Sequence, residues 1–132
     1  MIVVDTCVLV DVSTGDARWQ DWSSEQLAAW ADRGPLLVNP IVFAEWCADF
    51  ASYEAALSAI DAFGLTWQEL PRGALFVASR AHLAYRRRGG TRPMVLADFL
   101  IAAHAAVVRV PLLTRDRRRF AAYFPSLEVV AP

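Results

Sequence analysis

The chain contains no lysine and only two cysteines, Cys7 and Cys47. Two cysteines so far apart supply neither a disulfide framework nor a zinc site, so we expect buried thiols in a cytoplasmic protein. Long hydrophobic runs are also scarce, because the run Phe99–Val108 has about half of the ~20 residues that a membrane-spanning helix needs. No basic segment precedes the first apolar residues, so we expect no secretion signal. The length of 132 residues suits one domain, residues 1–132, with a substantial core.

The charge balance lacks the basic excess that is usual for a protein that binds nucleic acid. The chain has 13 basic and 14 acidic residues, a net charge of −1, and an isoelectric point of about 6.1. Every basic residue is arginine, whose planar guanidinium suits paired contacts with phosphate. If four acids are set aside for a metal, the 13 arginines outnumber the remaining acids by three. Composition therefore leaves nucleic acid open as a partner.

Helical and strand-like segments alternate along the chain, which predicts an α/β fold with a short, mostly parallel central sheet flanked by helices. The hydrophobic content of 56% fits a sheet that is covered on both faces. The predicted strands are Met1–Val4, Leu36–Val38, Thr66–Leu70, Val110–Thr114 and Leu127–Val130. The predicted helices are Cys7–Val12, Trp22–Arg33, Pro40–Phe50, Ser52–Phe63, Pro71–Arg87, Val95–Val108 and Arg117–Tyr123, with a polar loop at Ser13–Asp21.

Four acids stand at the ends of predicted strands or early in the helices that follow them: Asp5, Glu45, Asp98 and Asp116. Asp5 follows the apolar run MIVV, and Asp116 follows VPLLT. Because functional groups gather outside the carboxyl ends of the strands in open α/β sheets, these two acids are candidates to be neighbours. Asp98 lies in the first turn of a helix that is apolar on nearly every side, where an unpaired carboxylate is costly to bury. Asp11 and Asp16 are expected to be solvated.

Each of the four acids, taken alone, also has a structural explanation. Asp5 can cap a turn, Asp116 can cap the last helix, Asp98 can favour a helix N-terminus, and Glu45 can lie on the surface. Together they favour a metal, since clustered carboxylates repel one another unless a cation lies among them. The chain has no lysine, and neither His82 nor His104 is expected to be a ligand. Ligands that are all oxygen favour Mg²⁺ or Mn²⁺ over zinc, and such an ion supports phosphodiester hydrolysis.

Four motifs in this order and spacing resemble the PIN domain family, and specifically the VapC-type toxin ribonucleases of toxin–antitoxin pairs. They are VVDTCVLVD, NPIVFAEW, ADFLIAAHA and PLLTRD, and the resemblance covers essentially the whole chain. It implies a metal-dependent endoribonuclease that is neutralised by a cognate antitoxin. It implies that Asp5, Glu45, Asp98 and Asp116 form the catalytic Mg²⁺ or Mn²⁺ site, with Asp5 and Asp98 as the commonest direct ligands. Thr114 matches a supporting hydroxyl, Thr6 adjoins Asp5, and Asp116 matches the least constant acid of the family.

Two further groups of residues are candidates to contact partners. Arginines flank the acids on both sides, and we expect RNA-phosphate contacts from Arg86, Arg87, Arg88, Arg92, Arg115 and Arg117; a solvated helix face is the simpler interpretation of Arg118 and Arg119. Tryptophans crowd the first half, and Trp19, Trp22, Trp30 and Trp46 are either core residues or part of a groove for an apolar antitoxin segment. A homodimer is expected, since two-fold dimers are the commonest oligomers.

Other protein classes that gather acids at strand ends fit less well. A receiver domain needs a lysine, which the chain lacks, and a haloacid-dehalogenase-type phosphatase needs an aspartate where Cys7 stands. Two alternatives remain within the PIN family. One is a nuclease of RNA processing without an antitoxin, and the other is a catalytically silent binding module.

Overall fold

The computed structural model describes residues 1–93 and 95–132, and within them the chain folds around one five-stranded parallel sheet. The strands are β1 (Ile2–Val4), β2 (Leu36–Val38), β3 (Leu65–Trp67), β4 (Leu112–Leu113) and β5 (Val129–Val130), in the spatial order β3-β2-β1-β4-β5. The helices are α1 (Thr6–Thr14), α2 (Gln20–Ala31), α3 (Pro40–Trp46), α4 (Tyr53–Ala62), α5 (Arg72–Arg87), α6 (Val95–Val108) and α7 (Arg118–Ala121). The predicted α/β class with a parallel sheet is confirmed.

The central strand is the first one in the chain. β1 pairs with β2 on one side and with β4 on the other, and its three residues are fully buried. Such strands are apolar throughout because both faces of the sheet are covered. All carboxyl ends point to one edge of the sheet, because every described strand pair is parallel. The residues that follow β1, β2 and β4 therefore share that edge.

Helix α6 is the most deeply buried helix-forming segment, as its apolar pattern predicts. Its residues Ile101–Ala105 are fully buried, including the imidazole of His104. The side chain of Asn39 lies 3.0 Å from His104 Nδ1, and Gln68 Oε1 lies 2.7 Å from His104 Nε2. With Nε2 donating to Gln68 and Nδ1 accepting from Asn39, the ring is a neutral, fully bonded core residue. Burial accordingly lowers the pKa of His104.

Asn39 has a second role that the sequence does predict. Its side-chain oxygen accepts from the N–H groups of Ile41 and Val42, each at 3.0 Å, and Pro40 occupies the first position of α3. Both features stabilise a helix start. Asn39 therefore fixes the beginning of α3 while contacting α6 through His104.

Several element boundaries differ from the predicted ones. Ser13 and Thr14 belong to α1 rather than to a loop, because the hydroxyl of Thr14 donates to Val10 O at 2.7 Å and the helix ends only at Gly15, whose φ is 67°. The predicted helix Pro40–Phe50 passes into a 3₁₀ turn at Cys47–Asp49. β4 is shorter than Val110–Thr114 because Val110 N–H still bonds to Ala105 O, which closes α6. Among the described residues, no helix is long and apolar enough to span a membrane.

Candidate metal centre

Asp5 and Thr114 meet where β1 and β4 end. The backbone N–H of Asp5 donates to Leu113 O at 2.9 Å, which extends the strand pairing by one residue. The hydroxyl of Thr114 then donates to Asp5 Oδ2 at 2.7 Å, and Thr114 Oγ1 accepts from the N–H of Asp116 at 3.2 Å. Asp5 is 5% exposed, so this hydroxyl holds a nearly buried carboxylate in one orientation. Residues that follow two separate strands thus form one hydrogen-bonded group.

Glu45 reaches the same edge from α3, the helix that follows β2. The hydroxyl of Thr6, the first residue of α1, donates to Glu45 Oε1 at 2.7 Å. Glu45 is otherwise exposed, so this contact orients a side chain that is free on its remaining sides. Each threonine hydroxyl therefore donates to one oxygen of one acid: Thr6 to Glu45, and Thr114 to Asp5.

The guanidinium of Arg119 joins Asp98 to Asp116, a contact that the sequence does not predict. Arg119 Nη1 lies 3.1 Å from Asp98 Oδ1, and Arg119 Nε lies 3.3 Å from Asp116 Oδ2. The arginine side chain is 27% exposed, so its interpretation as a solvated residue is wrong. Asp116 Oδ1 also accepts from the N–H of Arg119 at 3.2 Å, which gives Asp116 a capping role at α7. No local pattern distinguishes Arg119 from its neighbours, because the pairing depends on how α7 packs against α6.

Two of the other acids affect the pKa of Asp98. Burial raises the pKa of Asp98, and the negative charges of Asp5 and Glu45 raise it further, while Arg119 opposes them. Asp98 therefore lies within the field of both other carboxylates. A carboxylate in such a position is stabilised by any additional cation.

The donor chemistry fits Mg²⁺ or Mn²⁺. Within the described part of the chain, the recorded hydrogen bonds and ion pairs occupy one oxygen each on Asp5, Glu45 and Asp98, which leaves the other oxygen available. Among those same residues, no three His, Cys, Asp or Glu side chains are gathered closely enough to form a ready-made cage. The four candidate acids offer only oxygen ligands, which Mg²⁺ and Mn²⁺ prefer and zinc does not.

Cys7 adds a sulfur atom to this group without making it a soft-metal site. Its thiol lies 3.5 Å from Asp5 Oδ2 and 3.7 Å from Thr114 Oγ1. Burial, with the negative charge of Asp5, raises the pKa of Cys7 to about 12. The group is therefore a protonated thiol at neutral pH, and a thiol is a poor metal ligand compared with a thiolate.

Asp11 is a further correction, because it is buried rather than solvated. It is 1% exposed, it accepts from the hydroxyl of Ser23 at 2.7 Å, and it pairs with Arg115 Nε at 3.0 Å. Its partner Arg115 lies 104 positions along the chain, so periodicity in α1 alone cannot reveal the pair. Asp16 behaves as expected, since its side chain caps a surface turn by accepting from the N–H groups of Arg18 and Trp19.

The predicted arginines lie in different surroundings. Arg115 lines a cleft of about 320 Å³ together with Asp5, Cys7, Trp19, Thr114, Asp116 and Arg119. Arg86 and Arg87 are exposed in the last turn of α5, Arg88 lies over the ring of Tyr123 at 5.1 Å, and Arg92 is exposed with its N–H bonded to Tyr85 Oη. Arg117 contacts Ala131 O at 3.5 Å.

The α5 arginines lie at the same end of the molecule as Asp98. Helix α5 packs along α6, and the short connection between them places the end of α5 beside the start of α6. The rings of Tyr85 and Phe99 pack edge to face at 5.9 Å, which fixes that contact next to Asp98.

The tryptophans differ in how far they are buried. Trp46 is fully buried, with its indole N–H bonded to the hydroxyl of Ser13 at 3.1 Å, and it is a core residue. Trp22 and Trp30 are half-buried, and Trp30 packs against the guanidinium of Arg33 at 4.3 Å. Trp19 is also half-buried, and it lines the same cleft as Arg115 and Asp5.

Comparisons with known proteins find one matching family model and several solved structures of similar fold. A family model described as PIN domain matches residues 2–124. The solved structures that resemble this one include VapBC2 from Rickettsia felis bound to a DNA fragment from its promoter, at 20% identity and a TM-score of 0.74, covering 99% of this chain and 98% of that chain. They also include VapBC-1 from nontypeable Haemophilus influenzae, at 16% identity and a TM-score of 0.73, with coverage of 99% and 98%. A toxin–antitoxin complex from Klebsiella pneumoniae is 22% identical with a TM-score of 0.69, over 100% of this chain and 98% of that chain. No curated protein sequence gives a significant match.

Proposed function

This chain belongs to the PIN domain family, and from that membership we propose that it is a metal-dependent endoribonuclease, the toxin of a toxin–antitoxin pair. One observation carries the catalytic part of the proposal. The hydroxyls of Thr114 and Thr6 donate to Asp5 and Glu45 at 2.7 Å each, at the edge of the sheet where Arg119 joins Asp98 to Asp116. The toxin assignment draws on similarity in fold to toxin–antitoxin complexes.

In this proposal, Asp5, Glu45, Asp98 and Asp116 would hold Mg²⁺ or Mn²⁺. A bound ion would supply Lewis-acid polarisation of the phosphodiester and a water nucleophile at neutral pH. Thr114 and Thr6 keep the carboxylates of Asp5 and Glu45 in fixed orientations by donating hydrogen bonds to one oxygen of each. Burial of Asp5 keeps bulk water away from one side of the site.

The acids alone repel a polyanion, so RNA binding requires the surrounding arginines. We assign this role to Arg115 within the cleft, to Arg117 beside it, and to Arg86, Arg87, Arg88 and Arg92 near the start of α6. Their exposure and charge are suited to backbone phosphates, which supply most of the sequence-independent affinity for nucleic acid.

Protein partners of this chain are proposed on separate grounds. Exposed apolar side chains lie on α4 and α5, among them Tyr53, Leu57, Leu75 and Phe76, which are 65%, 40%, 46% and 62% exposed. Side chains of this kind favour burial against another protein. A cognate antitoxin and a second copy of the chain are the occupants that we propose, in keeping with the toxin–antitoxin complexes of similar fold.

The variant Asp98→Asn tests the catalytic proposal. It keeps the shape of the side chain and removes the charge, so RNA cleavage and the Mn²⁺-induced rise in melting temperature should both be lost while the fold remains intact. Asp61→Asn is the matched control, since Asp61 is an exposed acid on α4. Near-normal cleavage by folded Asp98→Asn protein would remove the catalytic assignment.

A second experiment separates a toxin from an RNA-processing nuclease. Induced expression should arrest growth of the host, and co-expression of the neighbouring upstream reading frame should relieve the arrest. Asp98→Asn should not arrest growth. Cleavage in vitro without growth arrest would favour the nuclease that lacks an antitoxin.

A further inference from the structure

One wall of the cleft that Asp5 and Arg115 line is aromatic. Trp19 lines the cleft together with Asp5, Thr114 and Arg115, so an indole ring and the hydrogen-bonded acid group border the same space. The cleft has a volume of about 320 Å³. This is at the low end of the roughly 300–1,000 Å³ found for small-ligand sites, which suits a single nucleotide rather than a duplex.

The backbone of Trp19 is anchored on both sides of its Cα, and its ring packs against one aromatic neighbour. The side chain of Asp16 accepts from the N–H of Trp19 at 2.8 Å, and Ser23 N–H donates to Trp19 O at 2.9 Å. Trp22 packs edge-on against the ring, with the two centroids 6.2 Å apart and an interplanar angle of 78°. A side chain whose backbone is anchored and whose ring already packs against a neighbour loses less conformational freedom when a ligand binds.

Two guanidinium groups lie near the same ring. The guanidinium carbon Cζ of Arg18 lies 4.8 Å from the centroid of the Trp19 ring, and Cζ of Arg115 lies 5.7 Å from the same centroid. The ion pair with the buried Asp11 anchors Arg115, whereas Arg18 is exposed and free to move aside. The ring therefore combines a π surface with positive charge, which is the chemistry that binds a base and its phosphate together.

We propose that Trp19 is the stacking platform for one unpaired nucleobase of the RNA, beside the phosphate that the acids act on. This assignment rests on the proposed ribonuclease function and names the part of the substrate that the site grips. An apolar peptide segment is the other candidate occupant. The lining favours RNA, since apart from Trp19 and Cys7 its residues are charged or hydroxyl-bearing.

The test measures binding of single-stranded RNA to the full chain in a chelator, so that no metal-dependent cleavage occurs. The probe is a fluorescent, unstructured RNA of roughly 12 nucleotides, within the span of typical single-strand sites. Trp19→Ala should weaken binding by about 5- to 150-fold, the range expected for one stacked base. Trp19→Phe should retain much of the affinity, and Trp30→Ala, which removes a half-buried tryptophan outside the cleft, should retain all of it.

A series of probes that each lack one base makes the test specific. One abasic position should weaken binding to the wild-type chain, and that same position should cost nothing further in Trp19→Ala. Unchanged affinity in Trp19→Ala, or an abasic penalty equal in both proteins, overturns the assignment. Loss of antitoxin affinity with normal RNA affinity would instead assign the ring to the protein partner and overturn it as well. A wild-type chain that neither binds nor cleaves RNA would overturn the proposed function itself.

Discussion

Arg119 is the residue whose removal should have opposite effects in the absence and in the presence of metal. Its guanidinium pairs with Asp98 at 3.1 Å and with Asp116 at 3.3 Å. These side chains are 27%, 23% and 43% exposed, so solvent screens both pairs. At about 0.2–1 kcal/mol for each partly exposed pair, Arg119→Gln should lower the free energy of unfolding by about 0.5–2 kcal/mol without metal.

The same substitution should strengthen metal binding. A divalent cation held by Asp98 is repelled by the guanidinium that already contacts this acid. Two unit charges about 4 Å apart in water interact by about 1 kcal/mol, and the double charge of the ion raises this to about 2 kcal/mol. Since Arg119 can partly rotate away, we expect a gain of about 1–2 kcal/mol, which is a five- to thirtyfold lower Kd for Mn²⁺.

Calorimetric titration with Mn²⁺ and thermal melts with and without the ion measure the two effects. Arg118→Gln is the matched control, because Arg118 is the exposed preceding residue of α7. The control should change neither quantity by much. An Arg119→Gln variant that binds Mn²⁺ no better than the wild-type chain would refute the idea that Arg119 and the metal compete for the same acids.

Two further predictions concern buried polar groups. Asp11→Ala removes the partner of Ser23 and Arg115, so it should lower the free energy of unfolding in urea by about 2–4 kcal/mol, somewhat less than for a fully buried pair because Arg115 is 32% exposed. The control Asp21→Ala, at an exposed acid of α2, should change this free energy by less than about 0.5 kcal/mol. A similar cost for both variants would argue against the network. Burial lowers the pKa of His104 below 6.5 in the folded chain, so the unfolded chain binds a proton on this ring more tightly. The contribution of the neutral ring to the free energy of unfolding is therefore fully present above pH 6.5. It is lost as the pH falls towards the pKa of the folded chain. His104→Gln should flatten this part of the stability–pH profile, and an unchanged slope would contradict the assignment.

The elements that the sequence predicts well are those whose signal is local. Val95–Val108 and Leu36–Val38 have the predicted bounds. Apolar patterning predicts the first, and the Asn39-Pro40 helix start marks the end of the second. Both signals depend on neighbouring residues only. Strand lengths were predicted less accurately. β4 keeps only Leu112–Leu113, because the N–H of Val110 still bonds to Ala105 O at the end of α6.

The site shows the same division between local and distant signals. Strand ends that carry Asp5 and Asp116 were predictable as neighbours, because parallel strands align their carboxyl ends. The contacts of Arg119 with Asp98, and of Arg115 with Asp11, were not, because each joins residues whose separation only the folded chain determines. An arginine among many arginines carries no local sign of its partner.

The central place of β1 in the sheet has a consequence for synthesis of the protein. The hydroxyl that orients Asp5 belongs to Thr114, 109 positions later in the chain. Strand β4 must also be made before β1 is paired on both sides. Contacts between such distant residues form late and slowly in folding. During synthesis the acid group therefore stays unassembled until Thr114 and the residues after it have been added to the chain.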